Sequence, residues 1–204
     1  MQWSELVANH LHDLKNRLGV LMQQIDSSQD EKKLEMQQSS RQIHDDLIAL
    51  LTLFRLEQQE LRVDRYDLPL SDALQEAAGR EEVLLKASGI ELEIDCSAAA
   101  MGFYDRPLIV SVLAHGILNA IHAGASRIVL GAEEQDRCIC FSIDDNGKGL
   151  GSKQVDLSEM KGVGVGLRLG EEIAKAHRRR GQTGSIQLQP SEQLGGAQLL
   201  LWIP

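Results

Sequence analysis

The chain has 204 residues, of which 43% are hydrophobic, enough apolar material for one ordinary domain or two small ones. Its 21 Lys and Arg stand against 30 Asp and Glu, and the net charge of −9 argues against a broad nucleic-acid interface. There is neither a signal-peptide pattern nor a run of roughly 18 apolar residues, so we expect a cytoplasmic, globular protein without direct membrane insertion.

Two long helical patterns without proline come first, over residues 3–26 and 31–62, and the polar turn Asp26-Ser27-Ser28-Gln29-Asp30 joins them. They predict a helical hairpin. The second helix repeats apolar side chains at helical spacing, at Ile43, Leu47, Leu50, Leu51, Phe54 and Leu61. Because two helices cannot enclose such a stripe, we expect a homodimer in which two hairpins form a four-helix bundle. The alternative is that the stripe packs on the rest of the same chain.

A helical wheel of the first helix places its apolar residues in one stripe: Leu6, Leu14, Leu18, Leu21 and Ile25. His10 lies beside this stripe, whereas His12 points to the opposite side and is expected to face solvent. Asp13 is the next residue, and Asn16 lies one turn further on the same face. An exposed imidazole with a carboxylate and an amide within reach is a candidate reactive site.

After the segment from Arg65 to Pro69 the pattern changes to mixed helices and strands, and Pro69 marks a linker. We therefore predict a first domain over residues 1–64 and a second over 67–204. Helices are predicted over 71–88, 106–123 and 164–179, and strands over 89–95, 127–133, 137–144, 184–189 and 197–203. This order predicts an α+β layer of helices over an antiparallel-rich sheet. Cys96, Cys138 and Cys140 are expected to be buried thiols rather than disulfides or metal ligands.

Two glycine clusters stand out, Asp144-Asp145-Asn146-Gly147-Lys148-Gly149-Leu150-Gly151 and Gly162-Val163-Gly164-Val165-Gly166-Leu167. Each allows a ligand to approach the backbone closely. The second cluster precedes a helix, whose terminal N–H groups and dipole favour an anion such as phosphate. Neither cluster has the spacing of a Walker A loop or of the dinucleotide fingerprint, so a different nucleotide fold is needed. Ordinary turn chemistry is the alternative.

His115, Asn119 and His122 recur on one face of the predicted 106–123 helix. The two histidines are separated by roughly 10 Å of helix rise, too far to ligate one zinc ion. The Asn119 oxygen instead suits Mg²⁺ held jointly with phosphates. A capping role for Asn119 is the structural alternative.

The order of these motifs resembles that of the sensor histidine kinases of two-component systems, over nearly the whole chain. The residues from His12 to Asn16 match the family's H-box, and those from His115 to Asn119 match its N-box. The residues from Asp145 to Gly149 match its G1 box, and those from Gly162 to Leu167 its G2 box. The closing segment from Gly195 to Pro204 is similar as well.

The resemblance implies a dimerisation and phosphotransfer hairpin followed by an ATP-binding α+β sandwich of the Bergerat type, as in the chaperone and topoisomerase ATPases. It implies that Asp145 accepts the adenine amino group, that Asn119 binds Mg²⁺ and that a glycine-rich lid wraps the triphosphate. The nucleotide site so implied comprises Asn119, Asp145, Gly147, Gly149, Gly162, Gly164, Gly166 and Leu167.

By the same resemblance His12 attacks the γ-phosphate of ATP, with Asp13 orienting its imidazole. The phosphoryl group then passes to an aspartate on the receiver domain of a response regulator. We further expect Asn16 to orient a water that dephosphorylates the regulator. The expected activity is therefore that of an autokinase, with a phosphatase role beside it.

Some positions depart from the family pattern. His115 stands where a first Asn is common, His122 where a basic residue is frequent, and Arg17 replaces the H-box proline. The segment between the glycine clusters is short and lacks the F-box aromatic residue. Because no sensor segment precedes Trp3, we expect either a fragment of a larger kinase or a separate sensor protein as partner.

Two rival functions remain. A histidine phosphotransferase without ATP use would leave the glycines and Asp145 unexplained, and a Bergerat-fold ATPase acting as a conformational clamp would leave His12 unexplained. The tract His177-Arg178-Arg179-Arg180 could touch nucleic acid or an acidic partner, but cations are also favoured at a helix C-terminus for ordinary electrostatic reasons.

Overall fold

The computed structural model describes residues 62–135, 137–149 and 165–204, together with six helical residues in the first part of the chain. The chain divides into two compact units, residues 1–61 and Arg62–Pro204. In the first unit the described helical residues are Arg17, Val20, Ile43, Ala49, Leu50 and Thr52. The predictions made for the hairpin, its dimerisation, His12, Asp13 and Asn16 lie outside the described residues.

The second unit contains four helices and nine strands among its described residues. The helices are α1 (Leu70–Arg80), α2 (Glu82–Ala87), α3 (Arg106–His122) and α4 (Val165–Ala176). The strands are β1 (Tyr66–Pro69), β2 (Glu91–Cys96), β3 (Met101–Tyr104), β4 (Arg127–Gln135), β5 (Cys138–Asp145), β6 (Arg178–Arg179), β7 (Gln182–Thr183), β8 (Ser185–Pro190) and β9 (Ala197–Ile203).

Five strands form the main sheet in the order β2-β4-β5-β9-β8. The β2–β4 pair is parallel and the other pairs are antiparallel. Strand β5 is central, with Ile143 opposite Leu130 on one side and Leu199 on the other. Two short ribbons, β1–β3 and β6–β7, lie outside this sheet.

The core lies between the helices and the sheet. Alternate residues of β5 turn inward, and Phe141 is fully buried. Helices α1, α3 and α4 all supply further fully buried side chains, namely Leu70, Leu74, Ile109, Leu113, Ile117, Leu169 and Ile173. The predicted layer of helices over an antiparallel-rich sheet is therefore confirmed for this unit.

Several element boundaries differ from the prediction. The helix predicted over 71–88 is two helices, because Glu81 leaves helical geometry, with φ of −102° and ψ of 7°. The predicted 164–179 helix ends at Ala176, because Arg178 and Arg179 pair as a strand with Thr183 and Gln182. Arg180 and Gly181, with φ of 50° and 84°, form the turn of this β6–β7 ribbon. Strands β1 and β3 were not predicted, because each has only four residues and β1 ends at the proline taken as a linker mark.

The cysteines are free thiols of unequal burial. Cys140 is buried, and this burial raises its pKa to about 12, whereas Cys96 and Cys138 are only partly buried, contrary to expectation. None of the described helices has the length and apolar content needed to cross a bilayer.

Candidate functional site

Asp145 is the last residue of β5 and is 7% exposed. Its Oδ1 accepts hydrogen bonds from the backbone N–H groups of Gly147, at 2.8 Å, and Ala197, at 3.3 Å. Its backbone oxygen accepts from the N–H of Gly196 at 3.1 Å. These bonds fix the orientation of the carboxylate, and Oδ2 has no hydrogen-bond partner among the residues that the structure describes. Oδ2 is therefore the oxygen left to accept from a ligand.

Glycines allow three chain segments to meet around Asp145. A Cβ atom at Gly147 would lie 2.8 Å from the Cβ and 2.9 Å from the carbonyl oxygen of Ala123. A Cβ atom at Gly196 would overlap the Asp145 backbone oxygen and lie 2.7 Å from the Gly147 nitrogen. Gly149 has φ of +63°, which favours glycine. These glycines thus serve the packing of the loop itself, in agreement with the alternative of ordinary turn chemistry given by the sequence.

Asn146 fastens the loop to the start of β4. Its Oδ1 accepts from the backbone N–H groups of Ser126 and Arg127, at 2.8 and 2.9 Å, and its Nδ2 donates to Ser126 Oγ at 2.9 Å. Sequence reasoning quoted Asn146 as part of a motif and assigned it no role, because its partners lie about 20 residues away in the chain. The loop conformation is therefore set by internal hydrogen bonds.

Asn119 is joined to this loop through the end of α3. Its backbone oxygen accepts from the N–H of Ala123 at 2.9 Å, and the Ala123 oxygen accepts from the N–H of Lys148 at 3.0 Å. The Asn119 side chain is exposed and forms no hydrogen bond with any residue in the described part of the chain. Two backbone hydrogen bonds therefore connect Asn119, the predicted Mg²⁺ ligand, to the loop that follows Asp145, the predicted adenine acceptor.

His115 lies one turn before Asn119 on α3. Its Nδ1 is 2.9 Å from the Ser111 carbonyl oxygen, which can only accept, so Nδ1 carries the proton. Its Nε2 is buried without a hydrogen-bond partner among the described residues. The ring packs against Gly166, where an added Cβ would lie 2.8 to 3.0 Å from three of the His115 carbon atoms.

This contact brings the start of α4 to the middle of α3. The resemblance assigns Gly166 to a lid, but here Gly166 lies in the first turn of a helix and its missing side chain is what admits the His115 ring. Leu167 follows in the same turn and is partly buried. Gly162 and Gly164 lie outside the described residues. The structure therefore brings together Asp145, Gly147, Gly149 and the α3 end on one side, and Gly166 and His115 on the other.

The donor atoms restrict how a metal ion could be held. Among the described residues, no three or more His, Cys, Asp or Glu side chains are arranged to hold a metal ion. The exposed amide oxygen of Asn119 fits Mg²⁺ as a single ligand, provided that phosphate oxygens and waters complete its shell.

Comparisons with known proteins identify this fold. No family model matches the chain, and no curated protein matches it. Solved structures do match, and histidine kinases are among them. Histidine kinase AdeS of Acinetobacter baumannii is 20% identical over 97% of this chain and 95% of its own, with a TM-score of 0.69.

Two further matches cover different parts of the chain. The ATP-binding domain of PrrB from Mycobacterium tuberculosis is 24% identical over 69% of this chain and 97% of its own, with a TM-score of 0.56. Histidine kinase ThkA in complex with response regulator protein TrrA is 16% identical over 98% of this chain and 61% of the matched chain, with a TM-score of 0.65. The fold is therefore that of the sensor histidine kinases, and the resemblance read from the motifs is confirmed at this level.

Proposed function

We propose that this chain is an ATP-dependent protein-histidine kinase of a two-component system. The observation that carries the proposal is the Asp145 carboxylate, which is buried, oriented by two backbone N–H groups and left with one oxygen for a ligand. In the proposal this Oδ2 accepts a hydrogen bond from the exocyclic amino group of adenine. The structural likeness to the ATP-binding domain of PrrB supports this placement.

The phosphates would lie between α3 and the start of α4. The first turn of α4 offers backbone N–H groups and the positive end of the helix dipole, both of which favour an anion. Asn119 would hold Mg²⁺ together with phosphate oxygens, and the bound ion would neutralise charge on the transferring phosphoryl group. Gly147, Gly149, Gly162, Gly164 and Leu167 complete the proposed nucleotide site.

The proposed chemistry is a pair of phosphoryl transfers. A His12 nitrogen forms a bond to the γ-phosphorus as the bond to the bridging oxygen breaks and ADP leaves, while Asp13 orients the ring. The phosphohistidine then transfers its phosphoryl group to an aspartate oxygen of a response-regulator receiver domain. The partners proposed are a second copy of this chain through the hairpin, the regulator, and a separate sensor protein if the chain is not part of a longer kinase.

The deciding experiment is a nucleotide titration followed by labelling with γ-³²P-ATP. An autokinase binds Mg²⁺-ATP and acquires acid-labile, base-stable label, which His12→Gln abolishes and His10→Gln retains. Binding without label would instead favour the conformational ATPase. Label acquired only from another phosphoprotein would favour the phosphotransferase.

A phosphatase role for Asn16 is a separate part of the proposal. Its amide would orient a water against the acyl phosphate of the regulator. Asn16→Ala is expected to prolong the phosphorylated lifetime of the regulator when the two proteins are mixed. An unchanged lifetime with the true regulator would leave Asn16 as a surface residue only.

A further inference from the structure

His177 follows α4 directly and is completely buried. Its Nδ1 lies 2.8 Å from the Ile173 carbonyl oxygen, and its Nε2 accepts from the backbone N–H of Asp105 at 3.3 Å. A carbonyl can only accept and an amide N–H can only donate, so the proton is on Nδ1. The neutral ring therefore joins the end of α4 to the residue that precedes α3.

Asp105 extends this connection to the start of the unit. As the N-cap of α3, its Oδ1 accepts from the N–H of Leu108 at 3.2 Å, and its Oδ2 accepts from the backbone N–H of Asp64 at 2.8 Å. Arg65 secures the same segment by donating to the Arg178 carbonyl oxygen and by lying over the Phe103 ring, 5.6 Å from its centroid. Residues 64 and 65 are thus tied to the N-cap of α3 and to Arg178, which follows α4.

Two contacts between α3 and α4, and one between the residues that flank them, mark their common side. Gly166 packs on His115, Gly170 lies where an added Cβ would be 3.1 Å from Val112 Cγ1, and His177 bonds to Asp105. Residue numbers rise along α4 as they fall along α3, so the helices run antiparallel. The first two contacts are close apolar packing, which resists separation. The hydrogen bond to Asp105 is the directional contact that resists sliding along the helix axes.

We infer that His177 is a positioning residue, which keeps α3 and α4 in register and connects residues 64 and 65 to the nucleotide site. The inference rests on the proposed function, in which Asn119 on α3 binds the metal ion and the first turn of α4 binds phosphate. Sliding of one helix along the other changes the distance between these two groups. A shift of the segment at Asp64 acts on the same distance through the Asp105 carboxylate.

Two amide substitutions in the full chain separate the two bonds of the ring. In His177→Asn the amide nitrogen replaces Nδ1 as the donor to Ile173, and the acceptor for Asp105 is lost. In His177→Gln the amide oxygen reaches the position of Nε2 and retains that acceptor. Loss of one hydrogen bond is expected to raise the Kd for Mg²⁺-ATP about fivefold in His177→Asn. His177→Gln should remain within about twofold of the wild-type protein.

Hydrogen exchange of the nucleotide-free protein supplies a readout that does not depend on ATP. The amides of Asp105 and Asp64 should exchange faster in His177→Asn than in His177→Gln, because only the first variant releases the link at α3. If His177→Asn does not fold, Asp105→Asn tests the next bond of the connection, from the Asp105 carboxylate to the Asp64 N–H, and leaves in place the backbone N–H of Asp105 that donates to His177. Its amide has one acceptor for the two N–H donors of Leu108 and Asp64, and it should likewise weaken ATP binding.

Three results would overturn the inference. The first is a wild-type Kd in both amide variants. The second is equal weakening in both variants in proportion to their lower Tm, which would mean that His177 acts only through packing. The third is equal exchange at Asp105 in the two variants. If the wild-type protein binds no ATP, the proposed function fails, and the exchange rates alone decide the role of His177.

Discussion

Asp145→Asn tests how this site would recognise adenine. The Gly147 and Ala197 N–H groups both point at Oδ1, so the amide oxygen of the variant should take that place. Its NH₂ group then occupies the position of Oδ2 and faces the adenine amino group, donor against donor. A hydrogen bond to a charged acceptor contributes about 1.5–3 kcal/mol, so the Kd for ATP should rise about 10- to 150-fold.

The assay is calorimetry with Mg²⁺-ATP and Mg²⁺-GTP. Guanine carries an acceptor where adenine carries its amino group, so the preference for ATP over GTP should also fall. Asp144→Asn is the matched control, because Asp144 precedes Asp145 on β5, points to the other face of the sheet and accepts from Gln198 at 2.8 Å. Its ATP affinity should be unchanged. If Asp145→Asn binds ATP within about twofold of the wild-type protein at a similar Tm, Oδ2 is not the adenine acceptor.

Further predictions concern packing, the metal ion and pH. Gly166→Ala should lower the free energy of unfolding by about 1–3 kcal/mol, because the added Cβ overlaps His115. Gly79→Ala in α1, where the added Cβ has nothing within 4 Å, should raise the free energy of unfolding. Urea titration of both variants checks the opposite signs. Removing Mg²⁺ with a chelator should weaken ATP binding by the wild-type protein and have little effect on Asn119→Leu, and an equal loss in both would refute the Asn119 assignment. Burial lowers the pKa of His177 below its ordinary 6.5, so the unfolded chain binds the extra proton. The stability that neutral His177 contributes is therefore complete above about pH 6.5 and is lost as the pH falls toward the folded-state pKa. The free energy of unfolding should consequently fall more steeply with acidification in the wild-type protein than in His177→Gln.

Local patterns in the sequence predicted the main sheet and the position of Asp145. Strands β4, β5 and β9 are long and carry apolar residues at alternate positions, so period and turn residues suffice to find them. Asp145 falls at the end of β5, where its motif placed it. The short strand β3 escaped because four residues give too little periodicity, and because Gly102 is a poor strand residue that is needed here to clear Leu70 and Ile139.

Contacts between distant parts of the chain were beyond the sequence. Helical spacing placed His115 and Asn119 on one face but could not show that the neighbour of His115 is Gly166. The sequence indicated only a basic tract after α4. It did not predict that His177, the first residue of the tract, is buried, because its partner Asp105 lies 72 residues earlier. In each case the deciding fact is a tertiary neighbour, which neither propensity nor spacing encodes.

The register of β5 links the stability of the domain to its chemistry. Asp144 and Asp145 are adjacent carboxylates on opposite faces of the same strand, and Asp144 is paired with Gln198 while Ile143 is paired with Leu199. A slip of one residue would exchange the two carboxylates and, at the same time, turn Phe141 and Ile143 from the core to the outer face. Asp144 therefore cannot take the place of Asp145 at the site unless the apolar core is lost as well. A sheet in the slipped register would be less stable because apolar side chains would be exposed, so the correct carboxylate is selected during folding, without any nucleotide bound.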